Sequence, residues 1–171
     1  MTNIRWHGRG GQGAFTASKI LGAAAVYEDG YALSFPSFGP ERRGAPIQAF
    51  TKIDENSVTD RSVLKKADYI IYLDETLFND SALNDLEPNG LLFINSNDKD
   101  KYAYDKRIVV VDANKISKQI IGREVSNTSM LAALVAKTGI VKAESVKNVL
   151  ANYLPKKIAK KNEGIFDVDW R

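Results

Sequence analysis

Four glycines fall within six positions near the start of the chain, in the stretch HGRGGQG at residues 7–13. Glycine lets a backbone approach a ligand closely, and the free N–H groups at the start of a following helix attract anions. Arg9 and Gln12 stand among the glycines and add a charged donor and a neutral one. The residue types of this glycine loop (residues 8–13) therefore suit a phosphate-binding turn.

The spacing of Gly8, Gly10 and Gly13 fits the G-x-G-x-x-G fingerprint of dinucleotide-binding proteins. That fingerprint also needs an acidic residue at the end of the second strand, about 20 residues further on, to bind the ribose. Ser34 and Phe35 stand there instead. The missing acid argues against a nicotinamide dinucleotide. A free-standing nucleotide- or dinucleotide-binding oxidoreductase stays open as the alternative function, as does a tight turn without a ligand.

A second unusual stretch, FPSFGPERRGAP, forms the arginine loop (residues 35–46). Its three prolines stiffen the backbone, and its two glycines permit sharp turns. Arg42 and Arg43 stand side by side in the middle of it, after Glu41. Two adjacent arginines on a rigid loop can bind phosphate or carboxylate. The alternative is a solvated turn in which the arginines pair with Glu41.

Strands and helices alternate along the chain, and they must position the two loops. The patterns predict strands at 4–7, 31–35, 47–53, 68–74, 90–95 and 107–113, and helices at 14–27, 75–86, 116–121, 127–137 and 143–153, with a basic helix in the tail. Residues 88–90 are predicted as a turn. Strands that are apolar on both faces are typical of a parallel sheet covered by helices. We therefore predict that residues 1–171 form a single three-layer α/β/α domain with a mostly parallel sheet and a Rossmann-like first βα unit.

Composition excludes several classes of function. Hydrophobic residues make up 44% and charged residues 26% of the 171 residues, which is ordinary for a globular protein. The chain has no cysteine, so it cannot form disulfides or thiolate nucleophiles, or hold an iron–sulfur cluster through its own cysteines. His7 is the only histidine, and we predict no metal site. Without an apolar run of about 20 residues or a secretory signal, we expect a cytoplasmic protein that does not enter a membrane.

Positive charge is concentrated late in the chain. The net charge is +3, and residues 106–166 hold 12 basic and 4 acidic residues. Such a segment can contact nucleic acid or an anionic partner. Aromatic side chains are not interleaved with these lysines, as a single-strand binding surface would require. We therefore predict a solvated helix face and no nucleic-acid partner.

Taken together, the two loops resemble those of the gamma subunit of pyruvate (2-oxoacid):ferredoxin oxidoreductases. The resemblance continues in QAFTKID at 48–54, DYIIYLD at 68–74 and GREVSNTSMLAALVAKTG at 122–139. It covers nearly the whole chain. Both loops at this spacing are far more specific than the glycine loop alone.

The resemblance implies an activity for the assembly in which such a chain works. These enzymes convert a 2-oxoacid and coenzyme A into acyl-coenzyme A and carbon dioxide, and they reduce ferredoxin. Thiamine diphosphate and iron–sulfur clusters are held mainly by partner subunits of the alpha, beta and delta type. The gamma part contributes no complete catalytic set, helps to form the coenzyme A site and packs against the other subunits. Pyruvate is the first choice of substrate, and the oxygen-sensitive clusters imply anaerobic metabolism.

The resemblance also implies roles for particular residues, all of them in binding and none in catalysis. The glycine loop would face the phosphates of coenzyme A, the paired arginines would add positive charge, and the start of the fourth motif would join them. The implied binding residues are Gly10, Gly11, Gln12, Gly13, Arg42, Arg43, Arg123 and Asn127. An alternative left open is that Arg42 and Arg43 form a bridge to the alpha or beta subunit.

Overall fold

The computed structural model describes residues 1–37 and 43–170. Within them it has six strands, which are β1 (Thr2–Arg9), β2 (Tyr31–Pro36), β3 (Pro46–Asp54), β4 (Ala67–Tyr72), β5 (Leu86–Asn95) and β6 (Ile108–Val111). The same described residues include five α-helices, which are α1 (Ala14–Tyr27), α2 (Ala113–Ile121), α3 (Ser126–Thr138), α4 (Ala143–Val149) and α5 (Lys156–Glu163). Short 3₁₀ helices lie at Glu75–Leu77, Asp80–Asp85, Asp100–Tyr102, Leu150–Asn152 and Gly164–Asp167.

The strands form one sheet in the order β2-β3-β1-β4-β5-β6. Strands β1, β4, β5 and β6 run parallel to one another, while β3 is antiparallel to both β1 and β2. The predicted α/β fold with a mostly parallel sheet is therefore confirmed. The carboxyl ends of the four parallel neighbours share one edge of the sheet, which we call the carboxyl edge. The glycine loop lies there because it directly follows β1.

The two faces of the sheet are covered differently. Side chains alternate along each strand, so that Ile4 and Trp6 face the helices while Ile70 and Leu92 face the other side. Helix α1 is enclosed between the sheet and helices α3 and α4 of the same chain, and its buried residues include Leu21. On the opposite face, the segment with the first two 3₁₀ helices packs over a smaller apolar cluster.

The helix predicted over 75–86 is wrong in type, because the structure has two 3₁₀ helices there, Glu75–Leu77 and Asp80–Asp85. Asp74 caps the first by accepting a hydrogen bond from the Thr76 backbone N–H, and Asn79 caps the second in extended backbone geometry. Short polar side chains that bind nearby N–H groups compete with helix continuation. A second capping residue in mid-segment therefore interrupts the predicted helix. Downstream, the helix predicted over 143–153 ends at Val149 and continues as a 3₁₀ turn.

The turn predicted at 88–90 is also wrong, because these residues belong to β5, which starts at Leu86. Its pairing with β4 shifts register between Ala67 and Tyr69, so the strand continues through an irregularity. The basic helix predicted in the tail is confirmed as α5. Among the residues that the structure describes, no helix combines the length and apolarity needed to cross a bilayer.

Candidate functional site

The glycine loop connects the carboxyl end of β1 to the first turn of α1. Gly13 is the N-cap of α1, with a φ of 83°, and its carbonyl accepts a hydrogen bond of 2.9 Å from Ala17 N. A Cβ added at Gly13 would collide with the side-chain amide of Asn127. Left-handed backbone and close packing together require glycine here. The loop therefore brings the positive end of the α1 dipole to the carboxyl edge.

The end of the arginine loop lies directly on the glycine loop. Gly10 N donates to Ala45 O at 2.8 Å, and Gly44 N donates to Gly10 O at 3.1 Å. Arg43 forms an isolated parallel β-bridge with Gly10. The structure thus brings the backbone of Arg43 next to the glycine loop. Arg42 lies outside the described residues.

The fourth motif reaches the same place through α3. Asn127, in the first turn of α3, is buried, and its Nδ2 lies 3.5 Å from Gly13 O. It therefore packs behind the glycine loop. Arg123 is exposed on the turn between α2 and α3, and no hydrogen bond or ion pair joins it to the glycine loop. Its neighbours Glu124 and Val125 line the crevice beside that loop.

Gln12 and Arg9 are bound within the protein. Gln12 Oε1 accepts a hydrogen bond of 2.6 Å from Arg9 N, while Gln12 Nε2 donates to Asp74 Oδ2 at 3.1 Å. Arg9 Nε also donates to Asp74 Oδ2 at 3.1 Å. Both side chains, which by type suit a phosphate ligand, therefore hold the glycine loop in shape.

Sequence reasoning missed Asp74. It follows β4, the parallel neighbour of β1, and the carboxyl ends of neighbouring parallel strands meet at one edge. That rule applied to the acid at the end of DYIIYLD is the signal that could have found it. Burial works to raise the pKa of Asp74, but hydrogen bonds from Thr76 and Gln12 and the charge of Arg9 together hold it below its ordinary value. Asp74 is therefore an ionised acceptor.

An open crevice of about 430 Å³ lies beyond the strand ends, bordered by Gly11, residues 73–76 and the start of α3. Crevices at this place in α/β sheets are common ligand sites. Its acids are paired with cations, Asp74 with Arg9, Glu75 with Lys101 and Glu124 with Lys118. The crevice itself therefore does not offer a strongly anion-attracting surface.

The outer surface of the glycine loop fits an anion better. Gly11 is exposed, and a Cβ added to it would meet no atom within 4 Å. A phosphate can approach the backbone there, near the start of α1 and the backbone of Arg43. The chemistry available is anion binding by backbone N–H groups, a helix dipole and a guanidinium. Within residues 1–37 and 43–170, no three His, Cys, Asp or Glu side chains are grouped to hold a metal ion.

Fold and site together define a class of protein, namely an α/β domain that presents a glycine loop, with residues 43–45 of the arginine loop beside it, at the carboxyl edge of a mostly parallel sheet. Residues 3–168 match the family model for pyruvate ferredoxin/flavodoxin oxidoreductase, and the chain belongs to that family.

Relatives of known name extend this result over almost the full length. The chain is 42% identical over 164 residues to pyruvate synthase subunit PorC of Methanothermobacter thermautotrophicus, covering 95% of this chain and 90% of the relative. It is 38% identical over 169 residues to the common gamma subunit of the pyruvate/ketoisovalerate oxidoreductases of Thermococcus litoralis, covering 95% and 91%. The crystal structure of pyruvate oxidoreductase subunit PORC from Thermotoga maritima superimposes with a TM-score of 0.81 at 36% identity, covering 96% of this chain and 92% of that one.

These comparisons do not favour the free-standing dinucleotide-binding alternative. The topology gives a physical reason, because β3 lies between β1 and β2. In a dinucleotide-binding fold the second strand ends next to the glycine loop, where its acid meets the ribose. Here β2 ends at Pro36, one strand removed from β1 and without an acid.

Proposed function

We propose that this chain is the gamma-type subunit of a pyruvate:ferredoxin oxidoreductase. The assembly would oxidatively decarboxylate a 2-oxoacid with coenzyme A, forming acyl-coenzyme A and carbon dioxide, and pass the electrons to ferredoxin. Family membership and the PorC and gamma names of relatives matched along nine-tenths of their length support this proposal. All 171 residues would act as one gamma-type domain.

In this proposal, the partner subunits hold the cofactors that carry out decarboxylation and electron transfer. Thiamine diphosphate and the iron–sulfur clusters would be held by alpha, beta and delta-type subunits, in the cytoplasm of an anaerobic cell. The absence of cysteine from this chain fits that division, because clusters are held mostly by cysteine thiolates.

The proposed role of the chain is to help bind coenzyme A at a subunit interface. Gly10 to Gly13 would face the phosphates with their backbone, Arg43, Arg42 and Arg123 would add positive charge, and Asn127 would support the loop from behind. The observation that carries this is the pairing of Arg43 with Gly10 beside the start of α1. Coenzyme A, when bound, supplies the thiol that accepts the acyl group. This chain's part is to bind and orient it.

The test is Arg43→Ala in the assembled enzyme, compared with Arg61→Ala. Arg61 is an exposed arginine in the segment that follows β3, whose end lies away from the glycine loop. A charge-assisted contact is worth about 1.5–3 kcal/mol, so we expect the Michaelis constant for coenzyme A to rise on the order of tenfold to a hundredfold in Arg43→Ala. The constant for pyruvate, subunit content and the behaviour of Arg61→Ala should not change.

A different result would favour the bridging alternative. If Arg43→Ala loses partner subunits on gel filtration while the remaining assembly keeps its Michaelis constant for coenzyme A, the arginine serves an interface and the ligand role is wrong.

Pyruvate is the proposed substrate, and 2-oxoglutarate, branched-chain 2-oxoacids and indolepyruvate are its competitors. The names of all three relatives include pyruvate, which supports this choice. The Thermococcus litoralis subunit is common to pyruvate and ketoisovalerate enzymes. The assembly copurified through this chain should reduce viologen fastest with pyruvate and coenzyme A. Faster viologen reduction with another 2-oxoacid would show that this acid, and not pyruvate, is the preferred substrate.

A further inference from the structure

Asp74 follows β4, on the side of β1 away from β3, and its carboxylate accepts hydrogen bonds from the side chains of Arg9 and Gln12, the two residues joined by the glycine loop's internal hydrogen bond. Its Oδ2 accepts from Arg9 Nε and from Gln12 Nε2, each at 3.1 Å. Its Oδ1 accepts from Thr76 N at 3.0 Å and from Thr76 Oγ1 at 2.6 Å. Each carboxylate oxygen therefore accepts two hydrogen bonds.

Arg9 carries this connection across to the arginine loop. Its Nη1 donates to Gly44 O at 3.2 Å, and its Nη2 donates to Thr76 Oγ1 at 2.9 Å. A guanidinium is planar and rigid, so fixing Nε on Asp74 also fixes the direction in which Nη1 points. The position of Gly44, next to Arg43, thereby depends on a carboxylate that follows β4.

Gln12 connects the same carboxylate to the glycine loop. With Nε2 on Asp74, its Oε1 is directed to Arg9 N, at 2.6 Å. Loss of Asp74 would leave Arg9 and Gln12 as neighbouring donors without their common acceptor. Two backbone hydrogen bonds between Gly10 and residues 44–45 would then be the main link between the loops.

We propose that Asp74 is a positioning residue for coenzyme A binding, which acts through Arg9 and Gln12 to fix the glycine loop relative to Arg43. Asp74 itself does not touch the ligand. This inference rests on the proposed function for its readout, but the clamp formed by Arg9, Gln12, Asp74 and Thr76 can be tested without it. One carboxylate thereby orients both side chains, and through Arg9 it also acts on the backbone at Gly44.

The experiment uses Asp74→Ala and Asp74→Asn in the assembled enzyme. Asn keeps the size of the side chain but replaces one acceptor oxygen by an NH₂ group, so it guards against a variant that fails to fold. Asp105→Ala is the matched control, because Asp105 pairs with Arg107 at 2.7 Å and its side chain is 20% exposed, against 18% for Asp74. Asp105 precedes β6 and so lies at the edge of the sheet opposite the glycine loop.

Two measurements are made on each variant. Hydrogen–deuterium exchange should become faster at the Gly10 and Gly44 amides in both Asp74 variants, because without the clamp the two loops open more often. The Michaelis constant for coenzyme A should rise on the order of tenfold in Asp74→Ala and less in Asp74→Asn, because small misplacements weaken a preorganised site. The turnover number, the constant for pyruvate and both properties of Asp105→Ala should stay unchanged. A merely structural loss would lower turnover and assembly together.

The outcomes separate this inference from the proposed function. Unchanged exchange at Gly10 and Gly44 overturns the clamp, whatever Arg43→Ala does. Faster exchange with an unchanged Michaelis constant for coenzyme A overturns the positioning role. If Arg43→Ala still raises that constant, the proposed coenzyme A site stands although the role of Asp74 is wrong. If the constant is unchanged in Arg43→Ala as well, the proposed coenzyme A site is also wrong.

Discussion

His7 is a partly buried titratable side chain whose position the sheet dictates. It alternates with Trp6 along β1, so it faces away from the helices and stacks on Tyr72 with ring centroids 4.3 Å apart. Burial, and secondarily the positive charge of Arg5, lowers the pKa of His7 to about 4, against an opposing effect of Asp85. Its Nε2 is buried, and no described residue is its hydrogen-bond partner. His7 is thus held neutral.

Stability should therefore fall with acid in a defined window. The unfolded chain binds a proton at His7 below pH 6.5, whereas the folded chain binds it only near pH 4. The His7 contribution is complete above pH 6.5 and is lost as pH falls towards 4, by up to about 3 kcal/mol. His7→Phe keeps a ring on Tyr72 and should flatten the dependence between pH 6.5 and 4, measured by urea unfolding. An equally steep dependence in His7→Phe would contradict the assignment.

Asp54 and Asp105, whose pKa values are strongly lowered, titrate below this window. The N-terminal ammonium and Asn56 lower the pKa of Asp54 to about 2, and Arg107 lowers that of Asp105 to about 2. Stability from such depressed groups is lost only as the pH falls below the ordinary carboxyl value of 3.8 and through the folded value. As the pH falls, the contribution of His7 to stability should therefore be lost before those of Asp54 and Asp105.

At the scale of elements, the pairing of β4 and β5 depends on a close backbone approach at Gly90. A Cβ added there would lie 2.8 Å from Asp68 O and 3.0 Å from Glu87 O. Both atoms belong to the backbone next to the register shift between Ala67 and Tyr69, and they cannot move without disturbing the strand pairing. The glycine therefore permits β5 to continue where the sequence indicates a turn.

Gly90→Ala should lower the free energy of unfolding by about 2–3 kcal/mol, since overpacking against backbone forces the strands apart. Asn89→Ala is the control, because Asn89 is exposed on the same strand and its replacement adds no volume. It should change stability by less than about 0.5 kcal/mol. Urea unfolding measures both. Equal stability of Gly90→Ala and the parent chain would mean that the β4–β5 approach relaxes freely.

The elements were predictable from sequence where pattern and position agree. Helix α1 is observed over the predicted residues 14–27, because an apolar run between glycine turns leaves little choice of boundary. The helix predicted over residues 75–86 is wrong because Asp74 and Asn79 each cap a short 3₁₀ turn. The pattern of apolar residues does not reveal this local competition. The turn predicted at residues 88–90 is wrong because β5 continues there through an irregularity in its pairing with β4, which only the structure reveals.

The candidate site was predictable only in part, because strand order, which residue types do not reveal, decides what some of its side chains contact. The family resemblance assigned Arg43 and the glycine loop to one site, and the structure brings their backbones together, while their binding role stays a prediction. The capture of Arg9 by Asp74 joins residues 65 positions apart, and it requires knowing that β4 lies beside β1. Residue types alone indicated that Arg9 and Gln12 suit a ligand. Strand order decides that they hold the loop instead.

At the scale of the whole molecule, the sheet separates two apolar clusters of unequal size. The larger one lies under the helices and contains Leu21, while the smaller one lies under the 3₁₀ segment and contains Leu92. Adjacent residues of one strand belong to different clusters, as Leu92 and Phe93 do. Loss of packing on either face must therefore loosen the same strands, and the two clusters should unfold together.

Leu21→Ala and Leu92→Ala test this coupling, because both side chains are fully buried. Leu21→Ala should cost about 4 kcal/mol, since α1 is enclosed on both sides and the cavity cannot collapse. Leu92→Ala should cost about 2–3 kcal/mol, because the short turns that cover it can settle into the space. In urea, tryptophan fluorescence and far-ultraviolet circular dichroism should report one coincident transition for each variant. Separate transitions would show that the two faces of the sheet unfold independently, whereas a larger loss for Leu92→Ala would contradict the expected difference in how the two cavities collapse.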